Sequence, residues 1–260
     1  MNVEVVGKGE PEYAIVGLVH GDEPCGKKAI EKFKNSNFSL DTGVKLVLAN
    51  EKAFEKGERY LENDLNRVFP GDKNSSSHEK RLAAKVYEEV KNLKVLDLHS
   101  TQSYNKVFAA QSSLNKQKIG LAEMAGVENV SYHGNSSIDS LDEHVNSICI
   151  ECGLQKSEEA VENAYQLITN FLAAEGVIDA EYSVSNPDIF KIIETVEKPE
   201  FTFVSENFKP VEKGEMYAEK QGEVLNADRK FYPVLMSTNG YKHILGHKAV
   251  KIENKKEIIN

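Results

Sequence analysis

Short apolar runs alternate with amphipathic segments from the start of the chain to about residue 176. The runs Tyr13–Val19 and Val145–Glu151 have the composition of buried strands. The segments Glu79–Val90 and Glu158–Ala174 repeat apolar residues at the spacing of a helix with one buried face. This alternation predicts an α/β fold with a largely parallel or mixed β-sheet flanked by helices.

The pattern changes after residue 176. Between Phe201 and Ile252 the chain contains short β-like runs that Pro and Gly residues punctuate. We therefore predict two domains, an α/β domain of residues 1–176 and a small C-terminal β subdomain of residues 195–260.

A charged segment, 51–74, has no clear periodicity and contains Pro70-Gly71. Loops of this length are uncommon in compact domains unless they have a function. The helix that follows begins near Glu79, and Ser76 with Glu79 fits a capping box at its start.

Composition limits the function and the surroundings of the protein. The formal net charge is −9 with no long basic run, which argues against nucleic acid and anionic membranes as partners. No apolar run approaches the roughly 20 residues of a membrane span, and residues 1–10 lack the features of a signal peptide. Three cysteines are too few for a disulfide framework, so we expect a reducing cytoplasm.

His20 and Glu23 lie on the predicted turn between the strand Tyr13–Val19 and a helix that begins near Pro24. A strand and a helix hold such a turn rigidly, which is why α/β proteins place sites there. An imidazole and a carboxylate three residues apart can converge on one divalent metal, typically zinc. The alternative is an exposed histidine and glutamate in a polar loop.

A second histidine lies at the end of a later strand, Val95–Leu98. In an extended chain Asp97 and His99 point to the same face. His99 can supply a third zinc ligand, and three protein ligands with one open position are typical of catalytic zinc sites. The alternative is a core histidine bonded to Asp97.

Two of the four arginines of the chain, Arg59 and Arg67, lie in the segment Glu58–Gly71. Arginine suits bidentate carboxylate binding and the stabilisation of an oxyanion, and Asn66 adds an amide donor. A merely solvated loop in this lysine-rich chain should favour lysine.

Glu151 interrupts an otherwise apolar strand pattern, where a carboxylate is costly unless it has a function or a partner. At a strand end above a metal it could act as a general base for metal-activated water. The alternative is a glutamate at a frayed strand end.

In this order, the stretches HGDEPCG, RYLENDLNRVFPG, DLHST and IECG resemble the succinylglutamate desuccinylase/aspartoacylase family of zinc amidohydrolases. The resemblance spans about residues 13–153 and implies the zinc-carboxypeptidase-like fold of that family, with residues 1–176 as the catalytic domain. It also implies one zinc ion per chain, bound by His20, Glu23 and His99.

The resemblance implies two catalytic residues. Glu151 would act first as the general base and then as the general acid. Arg59 would polarise the scissile carbonyl and hold the oxyanion.

The resemblance assigns supporting roles to four further residues. Asn66 and Arg67 would bind a substrate carboxylate, and Asp64 would hydrogen-bond a zinc-binding histidine. A weaker similarity after residue 232 places Tyr241 where the family has a substrate-contacting tyrosine. The sequence departs from animal aspartoacylases at Leu141, where those enzymes have an arginine that binds a second substrate carboxylate.

We therefore expect a zinc-dependent deacylase that cleaves the amide bond of a small N-acyl amino acid or a similar carboxylate-bearing amide. The first alternative is a zinc carboxypeptidase, since Asn66, Arg67 and Tyr241 also suit the C-terminal carboxylate of a peptide. A non-catalytic metal-stabilised binding protein is a further alternative, although mere metal binding requires neither Glu151 nor Arg59.

Five histidines remain outside this interpretation. The pair His243-x-x-x-His247 lies in a β-like region, where its spacing does not bring two side chains together as a helix would, so we interpret it as surface. His78, His133 and His144 are interpreted as structural or exposed. The sequence leaves the acyl group, the amino acid and the oligomeric state open.

Overall fold

The computed structural model describes residues 1–134 and 138–255, and its largest element is a mixed sheet of ten strands. The strands in chain order are β1 (Asn2–Val6), β2 (Pro11–Gly17), β3 (Gly43–Leu48), β4 (Lys94–Thr101), β5 (Phe108–Gln111), β6 (Asn129–Tyr132), β7 (Ser147–Leu154), β8 (Asp188–Val196), β9 (Thr202–Phe203), β10 (Met216–Lys220), β11 (Glu223–Asn226), β12 (Tyr232–Val234) and β13 (Gly246–Lys251). The helices are α1 (Cys25–Lys34), α2 (Glu51–Lys56), α3 (His78–Val90), α4 (Lys116–Ala125), α5 (Leu141–His144) and α6 (Glu158–Ala174).

The main sheet has the strand order β1-β3-β2-β4-β7-β5-β6-β8-β13-β12. The neighbours β3, β2, β4 and β7 run parallel, whereas β5 is antiparallel to β7. Because the carboxyl ends of parallel strands meet at one edge, the turn after β2 lies beside the ends of β4 and β7. His99 of β4 is directly opposite Glu151 of β7 in this register.

Helices cover both faces of the sheet. Alternate residues of each strand point to opposite faces. Ile15 therefore belongs to the core cluster that contains residues of α1, α4 and α6, whereas Val16 belongs to the cluster that contains residues of α3. The predicted α/β class, with a mixed sheet flanked by helices, is confirmed.

Glycines allow the first helix to lie close to the sheet. A Cβ atom on Gly26 would be 3.0 Å from the Cα of Gly17 and 3.1 Å from the Cβ of Leu98. Cβ contacts this short require a neighbour to move, so the close approach of α1 depends on glycine at this position. The turn between β2 and α1 is thereby held over the ends of β2 and β4.

The C-terminal part of the chain contributes to two sheets. Strands β8, β13 and β12 extend the main sheet, while β9, β10 and β11 form a separate three-stranded sheet. The division into domains of residues 1–176 and 195–260 stays a prediction, and the pairing of β8 with β6 carries the main sheet across that boundary. Within the two described ranges, no helix combines the length and the apolar character needed to cross a bilayer.

The capping box predicted at the start of α3 is wrong. Ser77, not Ser76, is the N-cap residue, and its side chain makes no capping hydrogen bond. The fully buried carboxylate of Glu79 instead accepts hydrogen bonds from the backbone N–H groups of residues 61–63 at 2.8–3.2 Å and from Asn50 Nδ2 at 3.2 Å. Helix α3 therefore anchors the segment that carries both arginines.

Candidate active site

The side chains of His20, Glu23 and His99 converge above the ends of β2 and β4, and all three are buried. The Glu23 carboxylate oxygens lie 3.0 Å from His20 Nδ1 and 3.1 Å from His99 Nδ1, and the two Nδ1 atoms are 3.2 Å apart. Two ligand atoms on a tetrahedral zinc ion are about 3.3 Å apart, given zinc–ligand distances of roughly 2.0–2.1 Å. The spacing of these donor atoms therefore fits one zinc ion.

Tight packing positions the turn that carries two of these side chains. A Cβ atom on Gly21 would lie 2.4 Å from the carbonyl carbon of Ala53 in α2, so only glycine allows this approach. The backbone N–H of Gly21 also donates to the carbonyl of Arg59 at 3.0 Å. The turn and the arginine-bearing segment are thus fixed to each other.

A carboxylate lies behind each histidine. His20 Nε2 is 3.0 Å from Asp64 Oδ1, and His99 Nε2 is 3.0 Å from Asp97 Oδ2. Each carboxylate can accept a hydrogen bond from Nε2–H, and in that tautomer the lone pair of Nδ1 faces the common centre. The contact of His99 with Asp97 does not distinguish a core histidine from a metal ligand by itself, but the same arrangement at both histidines supports a metal site.

The charges around the two histidines favour a cation at this centre. Burial alone would lower the pKa of His20, but the carboxylates of Glu23 and Asp64 raise it overall. Burial likewise opposes the charged form of His99, and Asp97 raises its pKa well above the usual value. The buried carboxylates carry negative charge that neutral imidazoles do not balance. A divalent metal ion would balance this charge, so the electrostatics of the site fit such an ion.

Arg59 lies at the rim of the cluster of His20, Glu23 and His99, with a side chain that is 41% exposed. Its Nη1 donates to Glu23 Oε1 at 3.0 Å, and its Nε donates to Asp64 Oδ2 at 3.2 Å. Its Nη2 is 2.8 Å from His20 Nε2. The guanidinium is thus held beside the ligand set and lines the adjoining cavity.

Glu151 lines the same cavity, one strand away from His99. Its Oε2 atom is buried, and no described residue gives that atom a hydrogen bond. Burial and the nearby Glu23 raise the pKa of Glu151 to about 7. A carboxyl group of this kind can take up and release a proton near neutral pH, as a general base and acid must.

Asn66 and Arg67 line the cavity from a short 3₁₀ turn, Leu65–Arg67. Asp64 caps this turn by accepting a hydrogen bond from the backbone N–H of Asn66 at 2.9 Å. The amide oxygen of Asn66 accepts from the backbone N–H of Leu141 at 2.9 Å, while the exposed Arg67 donates to the carbonyl of Asn66 at 2.7 Å.

Tyr241 reaches the cavity from the loop between β12 and β13. Its hydroxyl is 3.0 Å from Oγ of Ser103 and 3.2 Å from Oγ1 of Thr101, which is the last residue of β4.

The structure thus brings together all nine residues assigned from the sequence, and seven of them line the cavity wall itself.

The cavity has a volume of about 270 Å³ and extends beyond the predicted residues. Its far end is lined by Gln111, Ser112, His133, Ser140, Asp142 and His247. None of these was assigned to the site from sequence. Of the pair interpreted as surface, His243 is exposed, whereas His247 is half-buried and lines the cavity. A strand predicted at Gly246–Lys251 would have placed His247 in the sheet and His243 in the loop before it.

Comparison with known proteins supports the interpretation of the sequence. The chain matches the family model of the succinylglutamate desuccinylase/aspartoacylase catalytic domain over residues 10–173. It belongs to the succinylglutamate desuccinylase/aspartoacylase family. The resemblance seen in the sequence motifs is thereby confirmed.

Curated relatives of this family member match part of its length. The "Probable aspartoacylase" of Nostoc sp. is 41% identical over 103 residues, which cover 34% of this chain and 34% of that protein. The "Probable aspartoacylase" of Trichodesmium erythraeum is 33% identical over 105 residues, or 35% of each chain. The chain therefore matches about a third of the length of these relatives.

Solved structures of the family share the fold over nearly the whole chain. Succinylglutamate desuccinylase/aspartoacylase from Rhodobacter sphaeroides has a TM-score of 0.76 and 20% identity, and the match covers 97% of this chain and 88% of that one. Murine aminoacylase 3 has a TM-score of 0.73 and 21% identity, with 94% and 97% covered. At these identities the similarity shows a common fold.

Proposed function

We propose that this protein is a zinc-dependent deacylase that hydrolyses the amide bond of a small N-acyl amino acid or a similar carboxylate-bearing amide. The observation that carries the proposal is the convergence of the two histidine Nδ1 atoms and the Glu23 carboxylate beside Glu151, whose buried oxygen has no partner among the described residues. Membership of the family supports the same reaction class.

One zinc ion per chain would be held by His20, Glu23 and His99. Zinc in such a site supplies Lewis acidity, which polarises a carbonyl and lowers the pKa of water to about 7. Glu151 accepts the proton of the attacking water and returns it to the nitrogen of the leaving amine as the C–N bond breaks. Burial raises the pKa of Glu151 above that of a free carboxyl group, which suits both transfers.

Arg59 stabilises the negative charge that develops on the carbonyl oxygen. Its contacts with Glu23 and Asp64 fix the guanidinium before the reaction, so little reorganisation is needed when the charge forms. Donors of this kind typically contribute about 10²–10³ in rate.

Asn66, Arg67 and Tyr241 hold the substrate in the cavity. Arg67 offers a planar pair of donors that matches a carboxylate. Because the amide oxygen of Asn66 already accepts from Leu141, its NH₂ group is the end that a substrate carboxylate can use. The hydroxyl of Tyr241 adds a further polar contact on the same wall.

The proposed partner is a small molecule, without a role for nucleic acid or membrane. A cytoplasmic location is proposed from the cysteine content, since Cys25, Cys149 and Cys152 are all buried and unpaired.

A hydrolysis screen tests this function directly. Zinc-loaded protein is incubated with acetyl- and succinyl-amino acids in one series and with short peptides in another, and the released amine is measured. We expect turnover of acyl amino acids that zinc removal abolishes. Release of C-terminal residues from the peptides alone would favour a zinc carboxypeptidase. No turnover in either series, by protein that holds zinc, would favour a binding protein.

A further inference from the structure

The far end of the cavity contains polar side chains that the proposed reaction does not use. Gln111 is the most informative of them, because it is completely buried and lines the cavity. Its Nε2 donates to the carbonyl of Ala110 at 3.1 Å, whereas its Oε1 has no hydrogen-bond partner among the described residues. Reversal of the amide would place two carbonyl oxygens against each other, which favours this orientation. A buried acceptor without a donor is costly, and a ligand donor would satisfy it.

The carboxylate of Asp142 lies on the same wall and is already satisfied. It accepts hydrogen bonds from the backbone N–H groups of Ser112 at 2.8 Å and Ser113 at 3.1 Å, and from Ser140 Oγ at 2.6 Å. The ammonium group of Lys118, a buried residue outside the cavity lining, is 3.8 Å from Asp142 Oδ2. The negative charge of Asp142 is therefore balanced from behind the wall.

Two imidazoles complete this end of the cavity. The rings of His133 and His247 meet edge to face at 5.6 Å. Burial, together with the nearby His247 and Arg67, lowers the pKa of His133 to about 3, and burial lowers the pKa of His247, so both rings are neutral at neutral pH. Leu141, beside Asp142, is completely buried and supplies no charge.

We propose that this end of the cavity binds an uncharged hydrogen-bond donor of the substrate, a carboxamide or a hydroxyl group, and discriminates against a second carboxylate. Among the described residues that line the cavity, the only permanent cations are Arg59 and Arg67, and both are assigned to the reacting amide and the first carboxylate. Arg67 acts electrostatically on His133 at this end, but it is assigned to the first carboxylate. A second carboxylate would therefore meet the Gln111 oxygen, which offers no hydrogen to an acceptor, without an unassigned cation beside it. This inference deepens the proposed function and rests on it.

Isosteric substrate pairs test the discrimination. N-acetylasparagine is compared with N-acetylaspartate, and N-acetylglutamine with N-acetylglutamate. The acyl end is varied in the same way, with a succinamoyl and a succinyl group on alanine. We expect kcat/KM to favour a carboxamide by at least about tenfold in one of these series, because a pocket built for hydrogen bonding rejects the group that cannot form the bond.

Two variants assign the discrimination to Gln111. Gln111→Met removes the acceptor at similar volume, so the ratio of carboxamide to carboxylate should fall toward one. The matched control is Gln117→Met, an exposed position on α4, which should keep the ratio. A ratio that Gln111→Met leaves unchanged contradicts the assignment.

Calorimetric binding of the same pairs to zinc-loaded Glu151→Gln protein separates the inference from the proposed reaction. Tighter binding of the carboxamide supports the inference even if the wild-type protein hydrolyses none of the compounds, in which case the proposed function alone fails. Equal or tighter binding of the dicarboxylate overturns the inference while leaving the deacylase proposal intact. Preference for an ammonium-bearing analogue, such as N-acetyllysine, also overturns it.

Discussion

At the level of single side chains, the carboxylates behind the two histidines decide which ring nitrogen faces the centre of the site. Asp64 orients the ring of His20 through Oδ1, and its Oδ2 accepts a hydrogen bond from Arg59 Nε. One carboxylate thus orients both a proposed metal ligand and the proposed oxyanion-binding group. Partners of this kind tune metal affinity although they do not touch the metal.

Asp64→Asn tests this role. The variant keeps the shape of the side chain but weakens its hold on the His20 ring, so zinc affinity should fall about 10–100-fold. Competition with a chromophoric chelator measures the change. Asp179→Asn, at an exposed position, is the matched control and should bind zinc like the wild type. Unaltered zinc affinity in Asp64→Asn would remove Asp64 from the site.

Glu151→Gln tests the general base. The substitution removes the basic carboxylate, so kcat should fall about 10²–10⁴-fold, while zinc content and the circular dichroism spectrum stay unchanged. Glu181→Gln, an exposed position, should retain full activity. The mechanism is wrong if Glu151→Gln keeps full activity or loses its zinc.

Arg67→Ala should have a different kinetic signature. Arg67 is proposed to bind a carboxylate that is present in both the ground state and the transition state, so KM should rise more than kcat falls. Arg229→Ala, at a side chain that is 55% exposed, serves as the control and should leave both parameters unchanged. An unchanged KM in Arg67→Ala would mean that Arg67 does not hold a substrate carboxylate.

The sequence was informative at this scale where chemistry-bearing residues are close together in the chain. His20 and Glu23 share one turn, and Asn66 and Arg67 share another, so each pair suggested a site. Gln111 and Asp142 gave no such signal, because each is an ordinary polar residue until the fold buries it against the same cavity.

At the level of elements, α3 acts on the site from a distance through Glu79. Its carboxylate holds three successive backbone N–H groups of the segment that leads to Asp64 and the 3₁₀ turn. Burial alone would raise the pKa of Glu79, but the hydrogen bonds from Leu61 and Asn50 lower it overall. The charged form is therefore part of the folded structure.

Glu79→Gln should weaken this anchor. The amide offers one acceptor instead of two and turns a donor toward the backbone N–H groups, so the free energy of unfolding at pH 7 should fall by about 1–3 kcal/mol. Denaturant titration measures it. Glu88→Gln, an exposed position on the same helix, should have little effect. A stability equal to that of the wild type would show that the anchor is dispensable.

The same pair of proteins gives a pH signature. Because the pKa of Glu79 is lower in the folded state, its contribution is present above the unfolded value of about 4.3 and is lost as the pH falls through the folded value. The difference in stability between wild type and Glu79→Gln should therefore be largest near neutral pH and shrink under acidic conditions. A difference that is constant down to acidic pH would contradict the ionised anchor.

Elements in which apolar residues recur at a regular spacing were predictable from the sequence. Helix α6 has the predicted bounds, Glu158–Ala174. Strand β8 was missed, because it lies in the predicted connection between the two domains. The capping box failed because sequence spacing does not show that the Glu79 carboxylate has partners from a distant segment.

At the level of the whole molecule, metal binding and folding should be linked, since the proposed ligands come from two separate strand ends. Zinc at about 100 times its dissociation constant would stabilise the folded protein by about 2.7 kcal/mol. The unfolding temperature of metal-stripped protein should then rise by several degrees on zinc addition. His99→Ala should abolish this shift and the bound zinc.

The matched control for this experiment is His243→Ala, because His243 is exposed. This variant should retain both the thermal shift and about one zinc per chain by elemental analysis. An unchanged zinc content in His99→Ala would contradict the assignment of the metal site.

The order of the cavity residues along the chain also has a consequence for the synthesis of the protein. His20, Glu23, His99 and Glu151 all come from the first part of the chain, whereas Tyr241 and His247 close the cavity from the loop and strand after β12. A ribosome releases the proposed metal-ligating residues long before it releases that last wall. The nascent chain therefore carries its proposed zinc ligands before it carries the residues that close the cavity, and enclosure of a substrate is the last step that synthesis completes.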